Sequence, residues 1–181
     1  MDGRDKPGHD GVRLEALSLI PHYARRNRET FMNFADTKRL TNEGAKTMMA
    51  TALAGAKKEG IAVSIAIVDA GGHLILLERM EGGRFHTVHS STTKAVAAAS
   101  NKRPTSPKGA VGQDLDVINA IGLTLAAGPE RWTATRGGCP ILVNGECIGG
   151  IGVAGGDWNA DLKIAQDAVE AIGATWDPDK K

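Results

Sequence analysis

Gly137-Gly138-Cys139-Pro140-Ile141-Leu142-Val143-Asn144-Gly145-Glu146-Cys147-Ile148-Gly149-Gly150-Ile151-Gly152-Val153-Ala154-Gly155-Gly156 reads as a tight hairpin that feeds a glycine-rich crossing into a last helix. Asn144-Gly145 between two β-prone runs is the strongest short-range hairpin signal, because both central residues of a type I′ turn need φ > 0. The return strand carries Gly149, Gly150 and Gly152, with Gly155 and Gly156 beyond it, and glycine weakens a strand unless close packing or a ligand needs the room. Both explanations stay open at this level. In the hairpin register Cys147 faces Leu142 and Cys139 lies nearer Gly150, so the two cysteines are not expected to bond to each other. Half-buried thiols in a reducing cytoplasm account for them, and a thiolate ligand or nucleophile at Cys139 is the alternative.

Ile61 to Arg79 repeats the same strand, turn, strand grammar around Asp69-Ala70-Gly71-Gly72. Its nearly continuous apolar character predicts a central hairpin covered on both faces. Upstream, Thr41 is a good N-cap for a helix over 42–58 with an apolar stripe of Ala45, Met48, Met49, Leu53 and Ala56, closed by Gly60. Residues 84–101 are alanine-rich with helical spacing and are stopped by Pro104. A further helix is predicted over 108–125, followed by an irregular stretch to Thr135. Asp157 or Asn159 caps a final helix bearing Leu162, Ala165, Val169 and Ile172, which Gly173 closes. The order α, ββ, αα, ββ, α predicts an α+β fold with one antiparallel sheet.

With 181 residues, 41% of them hydrophobic and 24% charged, the chain fits one globular domain. A net charge of +1 and 4% aromatics argue against nucleic acid as a partner. No apolar run approaches a membrane span, and a cytoplasmic protein is expected. Residues 1–31 are polar, glycine-rich and without period, so they are expected to be disordered or non-native. That places the natural start at Met32, the domain over 32–175 and a short tail over 176–181.

The two hairpins, together with Lys94-Ala95, Arg103-Pro104-Thr105, Gly137-Gly138, Pro140 and Asp161, resemble the GlcG/HbpS family of small heme-binding proteins, in order and spacing from about Leu40 to Gly173. The related C-terminal domain of PduO-type adenosyltransferases shares the pattern. The resemblance implies a profilin-like sheet of about four or five strands with packed helices, and heme as the cofactor. The chain departs from relatives in having Ala97 where Thr is frequent and Cys139 where an aliphatic residue is usual. If that hydroxyl helps hold heme in relatives, another group here must replace it.

His86, His89, Thr93 and Ala97 fall within about 80° of one another on a helix. Two imidazoles one turn apart suit heme iron, another metal or general-base work, and they equally suit plain exposed surface. Beside them Ala95, Ala97, Ala98 and Ala99 leave room for a flat ring or for tight packing on a sheet. The Gly155-Gly156-Asp157 crossing brings backbone N–H groups to a helix N-terminus, which favours an anion such as a heme propionate or a small carboxylate; Arg79, Arg84 or Lys94 would supply counter-charge. The alternative is a self-contained cap by Asp157 or Asn159. His73, after a tight turn, reads as solvent-exposed, and Asp161 as a first-turn helix stabiliser. No Walker loop, Gly-x-Ser-x-Gly elbow or zinc motif is present.

Three functions follow. The first is a heme-binding carrier or sensor accessory using His86, His89, Thr93, Lys94, Ala97, Arg84, Gly155 and Gly156. The second is a ring-opening lactone-type hydrolase of a small acid, with His86 or His89 as base and the Gly155-Gly156 amides as anion site. The third is a structural subunit of a homo-oligomer, an assembly state that is expected in any case.

Overall fold

Eight elements run in the expected order: α1 (Asn42–Lys58), β1 (Ser64–Asp69), β2 (Leu74–Arg79), α2 (Thr87–Asn101), α3 (Val117–Ala127), β3 (Gly138–Val143), β4 (Glu146–Ala154) and α4 (Trp158–Glu170). The computed structural model describes Asn33, residues 35–109 and residues 111–180. The expectations for residues 1–31 and for a start at Met32 lie outside the described residues. From Thr37 onward the chain clusters as one compact unit.

The four strands form one antiparallel sheet in the order β2-β1-β4-β3. Period-two alternation splits each inner strand between two layers. Ile65 and Ile67 of β1 join Met48, Ile141, Ile151, Val153, Ile164 and Val169 in the core shared with α1 and α4. Ala66 and Val68 face the other way and meet Ala95 and Ala99 of α2. α1 starts where Thr41 Oγ1 accepts the Gly44 N–H at 3.1 Å, and α4 where Asp157 Oδ1 accepts the N–H groups of Asn159 and Ala160. Asp157, not Asn159, is therefore the cap.

The Asn144-Gly145 turn is as the sequence predicts, with φ of 55° and 79°. A bulge between Ile141 and Leu142 keeps Cys147 opposite Leu142 but moves Cys139 one place, opposite Ile151. The outer edge of β3 is covered by the C-terminal segment, where Leu142 and Thr175 exchange both backbone hydrogen bonds.

Two local expectations need correction. The first hairpin is not covered on both faces. β1 is buried and central, whereas β2 is an edge strand with Leu74 51% and Leu77 39% exposed, because α2 lies mainly over β1 and β4 and, among the described residues, no strand pairs with the free side of β2. The helix expected from Lys108 starts only at Val117. Gly112 at φ 85° and the Gly109 N–H to Gln113 O bond make a turn there, and Asp116 Oδ1 then caps α3 by accepting the Asn119 N–H at 2.7 Å.

Candidate functional site

The glycines of β4 are accounted for by packing. A Cβ on Gly150 would overlap the Ala95 carbonyl oxygen and come within 3.1 Å of Ala99 N. One on Gly152 would overlap the Ser91 carbonyl oxygen and lie 2.6 Å from Ala95 N. α2 thus rides directly on the β4 backbone, with Ala95 and Ala99 against the sheet, while Ala97 and Ala98 are buried on other sides of the helix. The part of the small-residue run that faces the sheet is a packing contact, and Ala97, at 0% exposure, offers nothing to a ligand in solvent.

At the other end of that contact lies a buried polar clamp. Lys94 Nζ donates to the Val153 carbonyl at 2.7 Å and to Asp161 Oδ2 at 3.0 Å, while Asp161 Oδ1 accepts the Gly156 N–H at 2.9 Å. Burial holds the Lys94 ammonium below the ordinary lysine pKa, against the opposing pull of Asp161. Lys94 is therefore committed inside the fold rather than to an anion at the surface, and Asp161 does more than steady the first turn of α4: it joins α2, β4 and α4. No local spacing signals this pair, because its members are 67 residues apart. Gly156 has its amide engaged. Gly155, whose carbonyl accepts from Arg84 Nη2 at 2.9 Å, has no room for a side chain against Ala62 and Val63.

The imidazoles fare differently. His86 occupies the N-cap position of α2 without capping it, and both His86 and His89 are exposed. Phe85, 82% exposed, stands edge-on to His86 with ring centroids 5.9 Å apart. Thr93, on the same stripe, is buried where its hydroxyl faces the Pro129 carbonyl at 3.5 Å. His73 is exposed as expected, with Nδ1 3.2 Å from each Asp69 oxygen. Among the described residues no three His, Cys, Asp or Glu side chains converge as a metal cluster.

Two clefts escaped the sequence reading. One, of about 640 Å³, is walled by Trp158, Arg136, Pro107 and Ala134. A second, of about 360 Å³, brings Arg103, Lys108 and Arg136 near Trp176 and Asp177. Arg136 borders both and donates to Asn159 Oδ1 at 2.9 Å. Most of their walls come from loops with no periodicity, brought against the first turns of α4 only by the fold, which is why no pattern announced them.

Both cysteines are free. Burial pushes the Cys139 thiol far above the ordinary range, which removes the thiolate ligand or nucleophile from consideration at neutral pH. Only Cys147, half-buried, is expected to react with a thiol reagent in the native protein, and both on unfolding. Two rapidly reacting thiols before denaturant is added would contradict the packing of β3.

Comparison with known proteins agrees with this architecture. Residues 40–170 match the family model described as haem-degrading protein HbpS-like. Protein GlcG of Escherichia coli K12 is 34% identical over 115 residues, 64% of this chain and 81% of GlcG. The PduOC:heme complex superposes with a TM-score of 0.67 at 25% identity, covering 77% of this chain and 99% of that one. A double mutant of Streptomyces reticuli HbpS does so with a TM-score of 0.66 at 30% identity, covering 77% and 91%. With the family model spanning both hairpins and all four helices, the chain belongs to the HbpS-like family.

Proposed function

We propose that this chain is a heme-binding protein that takes the macrocycle at the exposed N-terminal end of α2, with His86 or His89 as the axial ligand. The observation that carries the reading is the pair of accessible imidazoles one turn apart beside Phe85. The donors fit the group: neutral imidazole is a common ligand of heme iron, and an aromatic edge suits a flat ring. When bound, heme would supply a redox-active iron centre. Arg84, with one N–H spent on the Gly155 carbonyl, retains donors for a propionate or another small carboxylate. Lys94 serves from within, by tying α2 to the Val153 carbonyl and to Asp161. Kinship with a family described as haem-degrading and with a solved heme complex supports the same ligand.

The hydrolase reading has less support, since Asp161 already holds the Gly156 N–H on which its anion site depends. Titrating purified protein with hemin tests the proposal. Saturable one-to-one development of a Soret band is expected, with affinity reduced about tenfold or more by His86→Ala or His89→Ala. If both variants bind like the parent and Trp158→Ala does not, the ligand sits in the Trp158 cleft and the assignment to α2 is wrong. Absorbance that never saturates refutes heme binding altogether.

A further inference from the structure

Arg103-Pro104-Thr105 and Gly137-Gly138 are bonded to each other in the fold. The Thr105 N–H donates to the Gly138 carbonyl at 3.0 Å, and the Gly138 N–H donates to Thr105 Oγ1 at 2.9 Å. Thr105 is buried, so both bonds lie inside the protein. Gly137, at φ 114°, has no room for a Cβ between the Val153 carbonyl and Lys94 Nζ. These contacts fix the chain where it emerges on either side, at Pro107 and at Arg136. On a third side Asp157 caps α4, and Asn159 Oδ1 accepts from Arg136 Nη1 at 2.9 Å. Pro107, Arg136 and the first turn of α4 are therefore walls of one cleft, of about 640 Å³, and the bonds that hold them exist without a ligand.

The chemistry of these walls is selective. Pro107 and Ala134 are apolar, and Trp158 presents an indole that is 63% exposed, although the capping of α4 by Asp157 asks for no aromatic there. The Thr135 hydroxyl is turned to that of Thr133, at 2.8 Å. Two charges remain. Arg136 donates to a neutral amide and makes no salt bridge among the described residues, so the rest of its guanidinium fork is free to donate. Asp157 Oδ1 accepts the N–H groups of Asn159 and Ala160, which leaves a negative charge at the rim. The adjoining smaller cleft is more nearly balanced: Arg103, Lys108 and Arg136 share it with Asp177 and Asp179, and Lys108 is already paired with Asp114 at 2.8 Å. An apolar cleft with one aromatic face and one guanidinium suits a flat apolar ligand that carries a single negative charge. A second charge would meet Asp157.

We propose that this cleft binds a small aromatic monocarboxylate, with the ring against Trp158 and the carboxylate accepting from Arg136. The planar fork of arginine matches a carboxylate in shape as well as charge. No residue of α2 lines the cleft, so the inference does not depend on the imidazoles or on heme.

Calorimetric titration of the heme-free, full-length protein with benzoate tests it, with benzamide as the uncharged probe and inorganic phosphate as the anion without a ring. Saturable one-to-one binding of benzoate is expected at neutral pH. Arg136→Gln and Trp158→Ala are each expected to weaken it about tenfold or more, and benzamide should bind the parent about tenfold more weakly than benzoate does. Arg131→Gln removes an exposed cation that does not line the cleft and should leave the affinity unchanged. Both cleft side chains are exposed, so the fold should survive their replacement, and one fast thiol out of two in each variant verifies it. Absence of saturable heat at millimolar benzoate overturns the proposal. So does a benzoate affinity that either cleft substitution leaves unchanged, and so does phosphate or benzamide binding as tightly as benzoate. Hemin is absent from this titration, so its failure leaves the imidazole reading standing, just as a failed hemin titration leaves this one.

Discussion

Replacing Gly152 with alanine is expected to lower the unfolding free energy by about 3 kcal/mol or more, the upper end of what an extra methyl costs in a packed interior. The new Cβ would overlap the Ser91 carbonyl oxygen while lying 2.6 Å from Ala95 N and 2.9 Å from Lys94 Cβ, and two of those three atoms are backbone that no rotamer change can move. Relief requires lifting α2 from β4, which exposes Ala95 and Ala99 and loosens Lys94 from Val153. Gly55→Ala is the matched control. Its Cβ would first meet Ile164 Cγ1 at 3.4 Å, an ordinary van der Waals contact, and helix propensity favours alanine by about 1 kcal/mol, so it is expected to be neutral or stabilising. Urea denaturation of both variants reads the difference, and equal midpoints would mean that α2 does not lie against β4.

Lys94→Met is expected to cost about 3 to 5 kcal/mol, because it strands the Asp161 carboxylate in a site where the side chain is 2% exposed. Asp161→Asn does comparable damage in the opposite sense: it keeps an acceptor for Gly156 N–H but leaves the ammonium without its counter-charge. The double variant should lose less than the sum, since neither charge is then buried alone, and that non-additivity measures the coupling. Strict additivity would show that the two side chains act independently. The sign with pH is also set. The folded-state pKa of Lys94 lies below 10.5, so between that value and 10.5 the unfolded chain holds more protons than the folded one. The parent should therefore gain stability relative to Lys94→Met as pH rises through that window.

The architecture was legible because it rests on local chemistry. Asn144-Gly145 dictates its turn through two positive φ angles, Thr41 caps α1, and the steps of three and four in α4 follow from the helical period. Each feature involves residues a few places apart, where backbone sterics decide. The failures have a common cause as well. β2 looks like a central strand because an apolar run reads the same whether a strand is paired on one side or on both, and its place at the sheet edge is set by residues far along the chain. The start of α3 was misplaced because a glycine turn before Asp116 interrupts an otherwise acceptable helical pattern.

For the site, the sequence alone determined that His86 and His89 share a helical stripe, that glycine must line β4 and that Asp161 opens the last helix, because periodicity and positional preference are properties of neighbouring residues. Only the tertiary structure decided that the glycines admit a helix rather than a ligand, that Lys94 and Asp161 are joined inside the fold and that the imidazoles are left in solvent. Those outcomes depend on which backbone lies within a few ångströms of which, and closing the chain over 67 residues is a matter of packing that no local pattern encodes.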